Sequence, residues 1–156
     1  VCAAAIVGVA LLSGAVTTER ERVALAVERL AAAVEAEDVT RIESLVDGDF
    51  GDSRGDKQDL LRGVRRVFGR MDFVGVAVKQ VRVLLLEPPP GGEDRLAEAD
   101  FVAFARIEHG ATGMARPIRT EWTSRWVRRE GGWRLLSAEL LAPTMETLPG
   151  IGRGGR

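Results

Sequence analysis

The sequence predicts an α+β fold with N-terminal helices packed on an antiparallel sheet, and three observations carry that expectation. Apolar residues recur at helical spacing through the first half, the period shifts to two in the second, and the final strands read as a hairpin around glycines, "WVRREGGWRLLSAELL" over residues 126–141. A chain of 156 residues is long enough for one domain with a real core and too short for two ordinary ones. Its 22 basic and 23 acidic residues leave a formal charge of −1, so no general field draws nucleic acid or an anionic membrane. Only Lys57 and Lys79 are lysines, and this arginine bias, with abundant Ala, Val and Gly, points to a GC-rich bacterial source.

The first element, "VCAAAIVGVALLSGAV", is apolar and uncharged, and falls just short of a bilayer span. It reads as the apolar core of an export signal over residues 1–15, with Ser13 and Ala15 supplying the small-x-small cleavage pattern, or as an uncleaved membrane anchor. The only cysteine, Cys2, lies inside it, so a mature domain beginning near Val16 has no thiol for disulfides, metal ligation or nucleophilic attack. Val23, Val27, Leu30 and Val34 then mark an amphipathic helix, with Thr18 as N-cap and Glu21 completing a capping box. A second helix is expected from about Val39 to Val46. "DGDFGDSRGD" breaks the pattern, and a third helix resumes through Leu60, Leu61, Val64, Val67 and Phe68.

"FVGVAVKQVRVLLLE" is a strand rich in β-branched residues whose alternation slips near Lys79 or Gln80, the mark of a bulge. "EPPPGGED" cannot extend a ladder and is an exposed connection. "LAEADFVAFARIEHG" alternates again, "GATGMARP" turns, and "IRTEWTSRWVRRE" and "GWRLLSAELL" form the last two strands. Residues 143–156 have too little apolar content to fold and are expected to be a disordered, solvated tail.

A two-residue turn at Glu130-Gly131 or Gly131-Gly132 pairs even positions with odd ones, and paired residues share a face. Thr120, Trp122, Ser124 and Trp126 would then face the same way as Trp133, Leu135, Ser137 and Glu139, whereas a three-residue loop would reverse the assignment. Three indoles are too much apolar surface to leave wet, so this face is expected under the helices. Leu136, Ala138, Leu140 and Val127 would fall on the outer face, open to a second copy of the chain in a homodimer.

"EAEDVTRIESLVDGDF", with Asp49-Phe50, and the terminal "WVRREGGWRLLSAEL" resemble the second helix and last hairpin of the nuclear-transport-factor-2-like superfamily, which includes ketosteroid isomerases and SnoaL-like cyclases. The resemblance covers about Thr18 to Leu141 and rests on scaffold rather than catalytic signatures. It implies a cone-shaped domain over residues 16–142, with N-terminal helices packed on a strongly curved antiparallel sheet. It also implies a search for the family's acids and bases. This chain has no Tyr, and Ser137 and Glu139 stand where SnoaL-like members carry histidines on the last strand.

Two candidate catalytic groups remain: Glu139, a general base if burial raises its pKa, and His109, the only imidazole, at a strand end near the cone's mouth. The candidate ligand-binding set is Trp122, Ser124, Trp126, Trp133, Ser137 and Glu139. Asp47, Asp49, Asp52 and Asp56 fail as a calcium loop, since Gly51 takes a ligand position and Gln58 replaces the closing Glu; they read as caps and turns. Arg54-Gly55-Asp56 is too short to signify adhesion, and no nucleophile elbow, P-loop or zinc spacing occurs. The expectation is an exported, non-catalytic domain binding a small apolar ligand or a protein partner through its pocket or sheet face, without cofactor, metal or nucleic acid and meeting a membrane only through its N-terminal segment. The alternative is an isomerase, dehydratase or cyclase with Glu139 as its base.

Overall fold

The computed structural model describes residues 17–88, 91, 94–109 and 115–144. The expected export segment with Cys2, and the tail beyond Thr144, lie outside the described residues. Helix α1 (Glu19–Glu35) starts as its sequence requires: Thr18 Oγ1 accepts from the Glu21 amide at 3.2 Å, and Glu21 Oε2 accepts from the Thr18 amide at 2.7 Å. Its buried stripe is Val23, Ala26, Val27 and Ala33. Helix α2 (Val39–Leu45) is capped by Asp38 and delivers Val46 into a parallel bridge with Leu135. No helix among the described residues is long and apolar enough to cross a membrane.

The aspartate-rich loop performs turn and cap roles, as its sequence suggests. Within it the structure adds a feature not foreseen, a small hairpin of β1 (Gly51–Asp52) and β2 (Gly55–Asp56). Asp52 Oδ1 accepts from the Arg54 amide at 2.7 Å, and Asp56 caps helix α3 (Lys57–Phe68) through the Gln58 and Asp59 amides. Gly55 has φ 135°, and a Cβ there would run into the Asp59 side chain that completes this cap, so only glycine fits.

Strands β3 (Met71–Leu86), β4 (Leu96–His109), β5 (Ala115–Arg129) and β6 (Gly132–Thr144) form an open antiparallel sheet in the order β3-β4-β5-β6. The slip foreseen near Lys79 or Gln80 is present: the β3–β4 register shifts between Lys79 and Arg82, with Gln80 at φ 56°. The connection after β3 is exposed at Glu87, Pro88, Gly91 and Asp94. The last strand runs to Thr144, two residues past the boundary expected for the domain. β4 presents Ala97 and Ala99 opposite Trp126 and Ser124, and these short side chains make room for an indole in the middle of the sheet. Trp126 is fully buried there, in a core that joins Val23 and Val27 of α1, Leu61 of α3, and Trp133 and Leu135 of β6. The α+β architecture read from the sequence is the one observed, with three helices on a four-stranded antiparallel sheet.

The hairpin turn is Glu130-Gly131, with Arg129 opposite Gly132, and near it the even-odd pairing holds: Trp126 faces Leu135 and Arg128 faces Trp133. Beyond Leu135 the expected facing fails. The register shifts between Arg125 and Trp126, so Leu136 has no partner across the ladder and the next pairs are Arg125 with Ser137, Ser124 with Ala138, Thr123 with Glu139 and Trp122 with Leu140. This bulge puts Ala138 and Leu140 on the indole face and turns Ser137 and Glu139 away from it. Of the apolar outer set expected to hold a second copy, Val127 and Leu136 are left, and Val127 is only 1% exposed.

Candidate functional site

Beneath the helices, each indole nitrogen has a partner. Trp126 Nε1 donates to Ser124 Oγ at 2.9 Å, and Ser124 Oγ donates to the Ala99 carbonyl at 2.9 Å. Trp122 Nε1 donates to Thr120 Oγ1 at 2.7 Å, and Thr120 Oγ1 to the Ala103 carbonyl at 3.4 Å. The spacing hydroxyl-x-Trp is the cause: on a strand, positions i and i+2 share a face, so Thr120 serves Trp122 and Ser124 serves Trp126. Trp133 Nε1 donates to Glu19 Oε2 at 2.9 Å, tying the hairpin to the start of α1. Ser124→Ala should therefore strand a buried N–H and a carbonyl and lower stability by about 1.5 kcal/mol. In Ser124→Ala/Trp126→Phe the two losses should be clearly less than additive, measured by urea unfolding; strict additivity would break the relay.

The same face changes character along its length. Around Trp126, Trp133 and Leu135 the cone is filled by its own side chains. Towards the other end Trp122, Ile118, Phe101, Val76, Ala105 and Leu140 are only half-buried. A cavity of about 370 Å³ lies across the strand ends, lined by Val76, Ala105 and Ile118 of this face, by Ala77, Phe104, Arg106, Pro117 and Arg119, which alternate to the other, and by Glu35 of α1.

Of the candidate residues, the structure gathers Trp122, Ser124, Trp126 and Trp133 on one face and places Ser137 and Glu139 on the other. Glu139 is exposed and lines a cavity of about 480 Å³ with Asp52, Glu98, Thr123, Arg125 and Ser137. His109 closes β4 opposite Met71, at a strand end as expected. Glu139 thus lacks the apolar burial expected of a pocket base. Glu139→Gln should change stability by less than about 0.5 kcal/mol and leave a Trp fluorescence pH titration superimposable on the wild type; a transition lost in the variant would contradict its outward placement.

Two carboxylates titrate below the ordinary range, both through hydrogen bonds. Trp133 Nε1 holds Glu19 low against the opposing effect of desolvation, with help from Arg22, Arg128 and Arg95. The Arg129 guanidinium holds Asp47 low, again against burial and aided by the Asp49 amide. Arg129 donates to both Asp47 oxygens, at 3.0 and 3.2 Å, and also reaches Asp49 at 3.2 Å and Asp94 at 2.9 Å. Sequence reading missed this cluster because its carboxylates lie 35 to 82 positions from Arg129, with no local signal. Among the described residues no group of His, Cys, Asp and Glu is arranged to hold a metal ion.

No protein-family model and no curated protein sequence matches the chain. Solved structures do resemble it. A conserved protein from Planctomyces limnophilus superposes with a TM-score of 0.64 at 17% identity, covering 79% of this chain and 95% of that one. A ketosteroid isomerase-like protein from Erwinia carotovora atroseptica gives 0.62 at 15% identity, covering 82% of this chain and 100% of the other. An NTF2-like protein of unknown function in nutrient uptake from Rhodospirillum rubrum gives 0.56 at 25% identity, covering 76% and 95%. These superpositions, with three helices packed on an open antiparallel sheet, establish that this chain has the nuclear-transport-factor-2-like fold.

Proposed function

We propose that the protein is an exported, non-catalytic binding domain that takes a small apolar ligand at the wide end of its cone. The observation that carries this reading is the half-buried apolar surface around Trp122, Phe101, Ile118, Val76 and Leu140, continuous with the filled core on the same sheet face. Half-buried apolar surface of this composition gains from burying apolar ligand area. Acid-base chemistry is poorly served there. Glu139 points away, and two of the carboxylates that reach the sheet from the helix side are already engaged, Glu19 by the Trp133 indole and Glu37 by the Phe73 amide at 2.9 Å, which leaves Glu35 of α1 as the one carboxylate lining the cavity. A lowered pKa, as at Glu19, is the reverse of what a general base working near neutrality needs. Export rests on the apolar run over residues 1–15 and its small residues before Val16.

The test is titration with a neutral apolar fluorophore such as N-phenyl-1-naphthylamine. Binding should quench Trp122, and Ile118→Arg should weaken it at least about tenfold, equivalent to about 1.4 kcal/mol, while Glu139→Gln binds normally. No binding by the wild type, or full affinity in Ile118→Arg, would refute the site. Export is read separately: the secreted or periplasmic fraction should contain a chain beginning near Val16.

A further inference from the structure

A third cavity, of about 420 Å³, lies on a different part of the molecule, where α1 and the end of α2 meet the β5–β6 turn. Its lining contains four arginines, Arg22, Arg29, Arg128 and Arg134, together with Ser44 and Thr17, and no acidic residue. We propose that this cavity binds a phosphate group.

The arginines reach the cavity from three elements. Arg22 and Arg29 are seven positions apart on α1, two helical turns, and so lie along one stripe. Arg128 stands opposite Trp133 in the ladder and shares its face, whereas Arg134, opposite Val127, alternates to the other face of β6 and lines the cavity from there. Gly131 and Gly132 adopt φ values of 84° and 141°, and their lack of side chains leaves the turn open; a Cβ on Gly132 would lie 3.9 Å from Arg128 Nη1.

The charge there is only partly compensated. Arg22 pairs with Glu19 at 2.8 Å, and Glu19 also accepts from the Trp133 indole. Asp47, the carboxylate whose field reaches Arg134, is held by Arg129. Among the described residues Arg29, Arg128 and Arg134 form no ion pair. A chain of net charge −1 has thus gathered guanidinium groups around one concavity. Planar guanidinium donors match phosphate oxygens in pairs, and a cavity of this size admits a small phosphorylated molecule or one headgroup rather than a nucleic-acid duplex. Thr17 is on the rim, and the apolar run 1–16 adjoins it in sequence, so a lipid headgroup and a free phosphate ester share the chemistry required.

Two ligands separate the sources: inorganic pyrophosphate followed by calorimetry, and phosphatidylglycerol vesicles compared with phosphatidylcholine vesicles by co-sedimentation. The wild type should bind at least one of them, more weakly as salt rises. Arg29→Ser/Arg128→Ser should lose that binding by at least about tenfold. Arg65→Ser/Arg66→Ser, which removes two exposed arginines of α3 outside the cavity, should retain it. Pyrophosphate binding with this variant pattern identifies a soluble phosphorylated ligand; binding confined to anionic vesicles, with the same pattern, identifies a headgroup. Failure to bind either ligand, or equal loss in both double variants, overturns the proposal, and far-UV circular dichroism of each variant confirms that losses are not unfolding.

Discussion

Trp126→Ala is expected to lower the stability of the domain by about 4 kcal/mol, the largest loss from any single truncation proposed for this protein. The indole is fully buried, Trp126 stands opposite Ala97 in the ladder, and its N–H is held by Ser124. Replacing it leaves a cavity in the centre of the sheet that the short alanines of β4 cannot collapse to fill. Domains of this size are stable by only about 5–15 kcal/mol, so the variant should unfold at a much lower urea midpoint with an unchanged denaturant slope. Trp122→Ala should cost less, because that indole is only half-buried. Equal losses for the two variants would mean that the cone is packed uniformly and has no open end.

Asp47→Ala should cost about 2 kcal/mol, and the pH dependence of stability should identify why. Asp47 is buried and takes two hydrogen bonds from Arg129, which lower its pKa in the folded state. A depressed carboxylate pKa contributes stability that is complete above the unfolded value of about 3.9 and is lost as pH falls through the lower folded value. The wild type should therefore lose this contribution only in acid below about pH 4, whereas Asp47→Ala, lacking the group, should show a flatter profile there. Arg129→Ala removes the main cause of the shift and leaves burial, which acts upwards, so its acid unfolding should begin at higher pH than the wild type's. Melting temperatures across the acid range read all three, and coincident acid profiles would remove Asp47 from the account.

The features legible in the sequence were those fixed by neighbours along the chain. Thr18 and Glu21 announce the start of α1, the aspartates announce turns and a cap, Glu130-Gly131-Gly132 announces a hairpin whose exact turn the structure selects, and each signal spans three or four residues. Facing along β6 was legible as far as Leu135. The bulge at Leu136 leaves no trace in "RLLSAELL", because that stretch alternates acceptably in either phase; the choice is made by what Trp126 and Ala138 pack against across the core. The arginine cavity was illegible for a related reason. It joins residues 22 and 29 to residues 128 and 134, a juxtaposition that exists only after the turn of the last hairpin has docked on α1.

The bulges in the long strands have a bearing on how this molecule can tolerate lengthening and shortening. Deleting one residue from an ordinary strand reverses the facing of everything beyond it. Around Leu136, and again around Leu141 where the β5–β6 register shifts a second time, β6 carries a residue in excess of its partner strand. Loss of one such residue would straighten the ladder while keeping Leu135 and Ala138 beneath the helices. The strand therefore holds slack: coding-sequence deletions that would scramble a regular sheet are absorbed here, and two descendants of one ancestor could drift out of positional correspondence while their interiors stayed superimposable.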